Sequence, residues 1–299
     1  MKWKGRRQSE NVVDLGSGEK GPRGKKAAVG GGIGVMIIAA IALLMNGGDL
    51  TQLLSLFTSQ AQGGGTQTQA GGGSDVRENT PKEEELLAFV KTVLADTEDV
   101  WIPIFESMGK RYELPVLNRF IGNVDSACGY QTSDVGPFYC GADKNIYLDL
   151  AFFDDLDKRH DAAGDFAQAY VIAHEVAHHI QNILGISSKV GMQKQRSDER
   201  VRNQLSVRQE LHADYLAGVW THHIQATKNV LEPGDLEEAL NAAWQIGDDT
   251  LQKRAGVRVR PHAFTHGTSA QRQKWFKAGF LSGDMNAGLQ LYELQYSKL

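Results

Sequence analysis

Two histidines four residues apart, His174 and His178, with Glu175 directly after the first, make an HExxH pattern within "YVIAHEVAHHIQ" (170–181). On an α-helix, positions i and i+4 share a face, so two neutral imidazoles can converge on one ion. Such donors suit Zn²⁺, whose catalytic sites take three protein ligands and keep one position for water. Glu175 lies about 100° around the helix from His174, close enough to reach that water without ligating the metal. As general base it would take a proton from the attacking water and later deliver it to a leaving amine. Chance is a weak competitor, since this composition predicts only about 0.014 HExxH matches per shuffled chain. Histidines merely packed or solvated on a helix are the plainer alternative. Against it, Ala173, Val176, Ala177 and Ile180 make the segment apolar nearly all round, and buried imidazoles and carboxylates need partners.

A third ligand must come from elsewhere in the chain. The HExxHxxGxxH spacing would need glycine and histidine at 181 and 184, where Gln181 and Leu184 stand, so that class is excluded. "QELHADYLAG" (209–218) offers Glu210 and Asp214, four apart on one helical face. Glu210 is the expected ligand. Asp214 is expected to accept the free ring N–H of a ligating histidine, His174, and so fix its tautomer. A solvated acidic face is the alternative, but Leu211, Ala213, Leu216 and Ala217 surround the pair with apolar residues. His212, the other candidate ligand, points away from Glu210.

The elements that must position these residues follow from periodicity and caps. Thr80 and Pro81 open a helix whose Leu86, Leu87, Val90, Val93 and Leu94 recur at helical spacing. Partial alternation in "NIYLDLAFF" (145–153) reads as a strand. The motif helix is expected over 165–184, opened by a capping box of Asp165 and Gln168. Further helices are expected over 197–226, from Asp235 to near Gly247, and over 269–277. Strands are few and precede the motif helix, so the class is α+β with a mainly helical core and a small sheet.

The 299 residues carry a net charge of -4, which gives no reason to propose nucleic acid as a partner. Residues 1–26 are different, with eight cations against three anions, and 27–45 ("AAVGGGIGVMIIAAIALLM") run without a charge. As a helix this run would be about 28 Å long, close to a bilayer's hydrocarbon core. The expectation is a single-pass protein of the inner membrane. Residues 1–26 would be a cytoplasmic N-terminus, 27–45 a retained anchor, 46–78 a Gly/Gln-rich linker, and 79–299 an exported catalytic domain. A cleaved signal peptide is the rival, though the charged leader is long for one. Cys128 and Cys140 agree with export to a periplasmic or extracellular site, where they would pair as a disulfide.

"HEVAH" followed by "ELHAD" resembles the gluzincins, whose third zinc ligand is a glutamate in an ExxxD helix. The wider text, "GADKNIYLDLAFFDDL", "GDFAQAYVIAHEVAHHIQ", "LSVRQELHADYLAGVW" and "FTHGTSAQRQKWF", resembles the bacterial putative neutral zinc metallopeptidase family. That likeness spans nearly the whole chain and is strongest between Gly136 and Phe276. It implies a zincin-like fold, one Zn²⁺ per chain and hydrolysis of a peptide or protein substrate. It also implies a role for His266 in "THGTSAQR", because gluzincins often place a donor opposite the catalytic glutamate to bind the oxyanion; a surface loop histidine is the alternative. Zincins bind extended substrate along a sheet edge beside the motif helix, and the strand at 145–150 is expected to be that edge. The basic stretch 194–208 reads as a solvated helix face or a rim of the cleft. A membrane-anchored scaffold that keeps zinc without catalysis is the rival function; it would not need Glu175.

Overall fold

A computed structural model describes residues 1–17, 78–158 and 162–299. Eight α-helices and six strands are formed among them. A four-stranded sheet has the order β1-β2-β6-β5, from Val12–Ser17 (β1), Val116–Ile121 (β2), Phe138–Cys140 (β5) and Asn145–Asp149 (β6). β1, β2 and β6 run parallel, and β5 closes one edge antiparallel to β6. A separate hairpin joins Asn123–Ser126 (β3) to Gly129–Thr132 (β4). The Cys128–Cys140 disulfide, the pairing expected of these two cysteines, ties that hairpin's turn to β5.

Helix α1 (Pro81–Ser107) starts at Thr80, which caps the Glu83 N–H while the Glu83 side chain returns to the Thr80 backbone. A short helix α2 (Ala151–Lys158) follows β6. Helix α3 (Asp165–Ile183) carries the HExxH motif and is buried on nearly every side, against α1, β5, α5 (Glu199–Lys228) and α6 (Asp235–Gln245). The capping box expected at Asp165 is absent; the N-cap is Gly164, at φ 118°. Helices α4 (Ile186–Gln195) and α7 (Asp248–Arg254) are short connectors. Helix α8 (Ser269–Ser282) is opened by a Thr268–Gln271 capping box and lies along α5.

The contact between α5 and α8 is made backbone to backbone. A Cβ on Gly218 would stand 2.0 Å from the Phe276 carbonyl oxygen, and one on Gly279 would stand 1.9 Å from that of Tyr215. Only glycine permits this approach, and it brings α8 near enough for a side chain to reach between α5 and α3.

The N-terminal segment overturns the expected topology. Residues 1–17 are part of the domain: β1 adds to the sheet beside β2, with Val12 opposite Leu117. Arg6 pairs with the buried Asp96 of α1, and Arg7 binds Glu98 (2.8 Å), Asp99 (2.6 Å) and the Ala95 carbonyl (2.7 Å). Ser9 and Asn11 also donate to Glu98. A single crossing at 27–45 would put these residues on the opposite side of the membrane from the sheet they belong to. Among the described residues no helix is long and apolar enough to cross a membrane. The single-pass localisation, with a cytoplasmic N-terminus and an exported domain, is therefore corrected. The anchor expected at 27–45 and all but the last residue of the linker expected at 46–78 lie outside the described residues.

Candidate metal centre

Helices α3 and α5 lie side by side and bring His174, His178 and Glu210 together, with one donor atom of each within 4.8 Å of the others. His174 Nε2 is 3.2 Å and His178 Nε2 3.5 Å from the same oxygen, Glu210 Oε2. Two imidazole nitrogens and a carboxylate oxygen are a donor set that zinc takes in catalytic sites. The residues fit the ion that the sequence implied. Burial disfavours charge at each group, yet the three sustain one another. Glu210 raises the His178 imidazole to about 9, and His178 and His174 hold the Glu210 carboxyl well below its usual range.

Asp214, fully buried, accepts from His174 Nδ1 at 2.9 Å. The same carboxylate receives the Tyr170 hydroxyl (2.5 Å) and two nitrogens of Arg272, Nε at 2.8 Å and a terminal nitrogen at 2.9 Å. Burial alone would raise this carboxyl, but Arg272 and then His174 hold it far below the ordinary carboxylate range. Tyr170 and Arg272 were not expected from the sequence. Arg272 is invisible there because it stands 58 residues from Asp214 and reaches it only through the glycine-lined contact of α5 with α8.

Glu175 is 8% exposed, and among the described residues nothing hydrogen-bonds its carboxylate. Burial pushes the carboxyl up, against the pull of His178 and His174. His266 lies in the loop before α8, and Nδ1 is 3.1 Å from Asp248 Oδ1. Asp248 Oδ2 also accepts the backbone N–H groups of Thr265, His266 and Gly267 at 2.7–3.0 Å, so one carboxylate folds the loop. Burial opposes the imidazolium of His266, but Asp248 raises its pKa, as does Glu210. Asp248 is a further residue that the sequence reading missed, although it stands at the start of α7, where a carboxylate is common.

Other expected residues fall elsewhere. His212 is buried, and desolvation, with His178 nearby, lowers it to about 3. It is not among the converging donors. β6 is hydrogen-bonded on both sides, by β2 and β5, so it cannot be the substrate edge expected of it. The strand next to α3 with one partner in the sheet is β5. It is fastened to the helix by Asn182 Nδ2, which donates to Tyr139 Oη (2.9 Å) and the Gly141 carbonyl (3.1 Å). A surface cavity of about 580 Å³ at the carboxyl ends of β2 and β6, lined by Arg119, Asp149 and Asp154, contains none of the expected site residues.

The sequence profile of the putative neutral zinc metallopeptidase family matches residues 1–289, a span that takes in both the N-terminal strand and the HExxH helix. The chain belongs to this family. It is similar to the uncharacterised protein YpfJ of Escherichia coli K12, with 47% identity over 288 residues, 95% of this chain and 96% of that one. Uncharacterised proteins of Mycobacterium tuberculosis H37Rv and Mycobacterium bovis are each 40% identical over 197 residues, 62% of this chain and 64% of theirs. No solved structure matches the chain. Membership in the family implies that zinc is the metal.

Proposed function

We propose that this chain is a zinc-dependent peptidase in which His174, His178 and Glu210 hold one ion per chain. The observation that carries the proposal is the convergence of three donor atoms from two helices beside a buried carboxylate, Glu175, that no side chain hydrogen-bonds among the described residues. That group supplies the three protein donors, two imidazoles and a carboxylate, that a catalytic zinc site takes. A zinc ion held there supplies Lewis acidity, which makes water nucleophilic near neutral pH and polarises a scissile carbonyl.

The chain's own residues divide the remaining work. Asp214 accepts the Nδ1 proton of His174 and leaves Nε2 bare toward the donor cluster. Glu175 takes the proton of the attacking water, and its raised pKa suits the later return of that proton to the amine. His266, protonated and held through Nδ1 by Asp248, turns Nε2–H toward the negative charge that develops on the carbonyl oxygen. The single-partnered edge of β5 is the strand against which an extended peptide would lie.

The test is Glu175→Gln in the full chain, with zinc content and hydrolysis of an unstructured protein mixture measured together. We expect zinc retained and hydrolysis lost; hydrolysis at the parent rate would sink the mechanism. Loss of zinc from His174→Ala checks the ligand assignment in the same experiment.

A further inference from the structure

We infer that Gln181 is a positioning residue for the metal: it fixes the tautomer of His178 and so presents Nε2 to the ion, an inference that rests on the zinc reading above. Gln181 lies one turn beyond His178 on α3, and its side chain is fully buried. Its orientation follows from partners alone. The Gln209 carbonyl can only accept, so the Gln181 atom 2.7 Å from it is the amide nitrogen. The amide oxygen is then the atom 3.0 Å from His178 Nδ1. An amide oxygen also only accepts, so Nδ1 must carry the proton. In the neutral ring that a metal requires, the lone pair is thereby placed on Nε2, the atom that faces Glu210.

The far end of the amide is anchored too. Gln181 Nε2 is 3.2 Å from His212 Nδ1, which must therefore accept, and the His212 proton sits on Nε2. Among the described residues that buried Nε2 has no partner. This accounts for a histidine inside "ELHAD" that is not a ligand: it serves as a neutral acceptor for the residue that orients one. The two histidine ligands are thus held by different chemistries. His174 is held by a carboxylate, whose charge Arg272 balances, and His178 by a neutral amide that needs no counterion.

The test measures zinc affinity of the full chain by competition with a chelator of known affinity, for the parent, Gln181→Leu and Gln181→Glu. Loss of such an outer partner weakens metal binding by roughly 10- to 100-fold, and that is the expected loss for Gln181→Leu. Gln181→Glu keeps an acceptor for the Nδ1 proton and should recover much of it. A side chain that only fills space predicts the reverse order, because a buried carboxylate is harder to accommodate than leucine. Affinity of Gln181→Leu within about threefold of the parent, or Gln181→Glu binding more weakly than Gln181→Leu, overturns the inference. Should Gln181→Leu not fold, Gln181→Met takes its place under the same criteria. A parent chain that takes up no zinc overturns the metal reading and this inference together, whereas zinc bound equally by all variants overturns only this one.

Discussion

Arg272 and Asp214 make the sharpest stability prediction, because both are buried and each is charged. Their side chains are 3% and 0% exposed, and Asp214 receives four hydrogen bonds, two of them from Arg272. Replacing Arg272 with leucine removes both of those and leaves the carboxylate with Tyr170 and His174 in an apolar setting. Breaking a buried pair from one side typically costs about 3–5 kcal/mol, since the remaining charge is uncompensated. Asp214→Asn strands the buried Arg272 guanidinium in the same way, so it should cost a similar amount even though the amide keeps one acceptor for His174. The informative measurement is the double variant, by urea unfolding of the metal-free chain. With both charges gone, the loss should fall short of the sum of the single losses by more than about 1.5 kcal/mol. Additivity within about 0.5 kcal/mol would refute the claim that the two act as one buried unit. A cost below about 1 kcal/mol for Arg272→Leu would do the same.

Two further outcomes follow from other parts of the fold. In the proposed mechanism His266 acts in its charged form, which is fully present below its raised pKa and is lost as pH rises through it. Asp248 and Glu210 raise that pKa and Arg272 lowers it. Asp248→Asn should therefore move the alkaline limb of kcat/KM to lower pH, toward the ordinary histidine value near about 6.5. An unmoved limb would remove His266 from the mechanism. Deleting residues 1–17 leaves Glu98, 3% exposed, without Arg7, Ser9 and Asn11, and leaves Asp96, 1% exposed, with Lys228 alone. The truncated chain should lose at least about 3 kcal/mol in urea unfolding, and an unchanged midpoint would show the segment to be an appendage.

The centre of the site was legible because helix geometry is local. HExxH and ExxxD each place two side chains on one face, and their burial shows in the apolar residues around them. The residues that support them were not legible. Gln181 marked only what the spacing was not, and Arg272 reads as one cation in a helix of mixed polarity until α5 and α8 are seen to touch at Gly218 and Gly279. The strand at 145–149 was recognised, yet alternation cannot say whether an edge is free, and the three-residue β5 is too short to show a pattern. The basic N-terminus was read as a cytoplasmic flank because cations beside an apolar run suggest that. The carboxylates that pair with Arg6 and Arg7 stand about 90 positions later in α1, where they read as ordinary surface charge.

The docking of residues 1–17 also sets an order of assembly. Arg6 waits for a partner 90 residues on, and Arg7 for one 91 residues on. During synthesis at roughly 5–20 residues per second, this segment emerges before its partners and stays without them for seconds. β1 pairs in parallel with a strand about a hundred positions later, a non-local closure of the kind that slows folding. A piece of chain made well before its partners is thus among the last to be put in place. Until it arrives, the open flank of β2 is a template for any other extended segment, including the same seventeen residues of a neighbouring nascent chain.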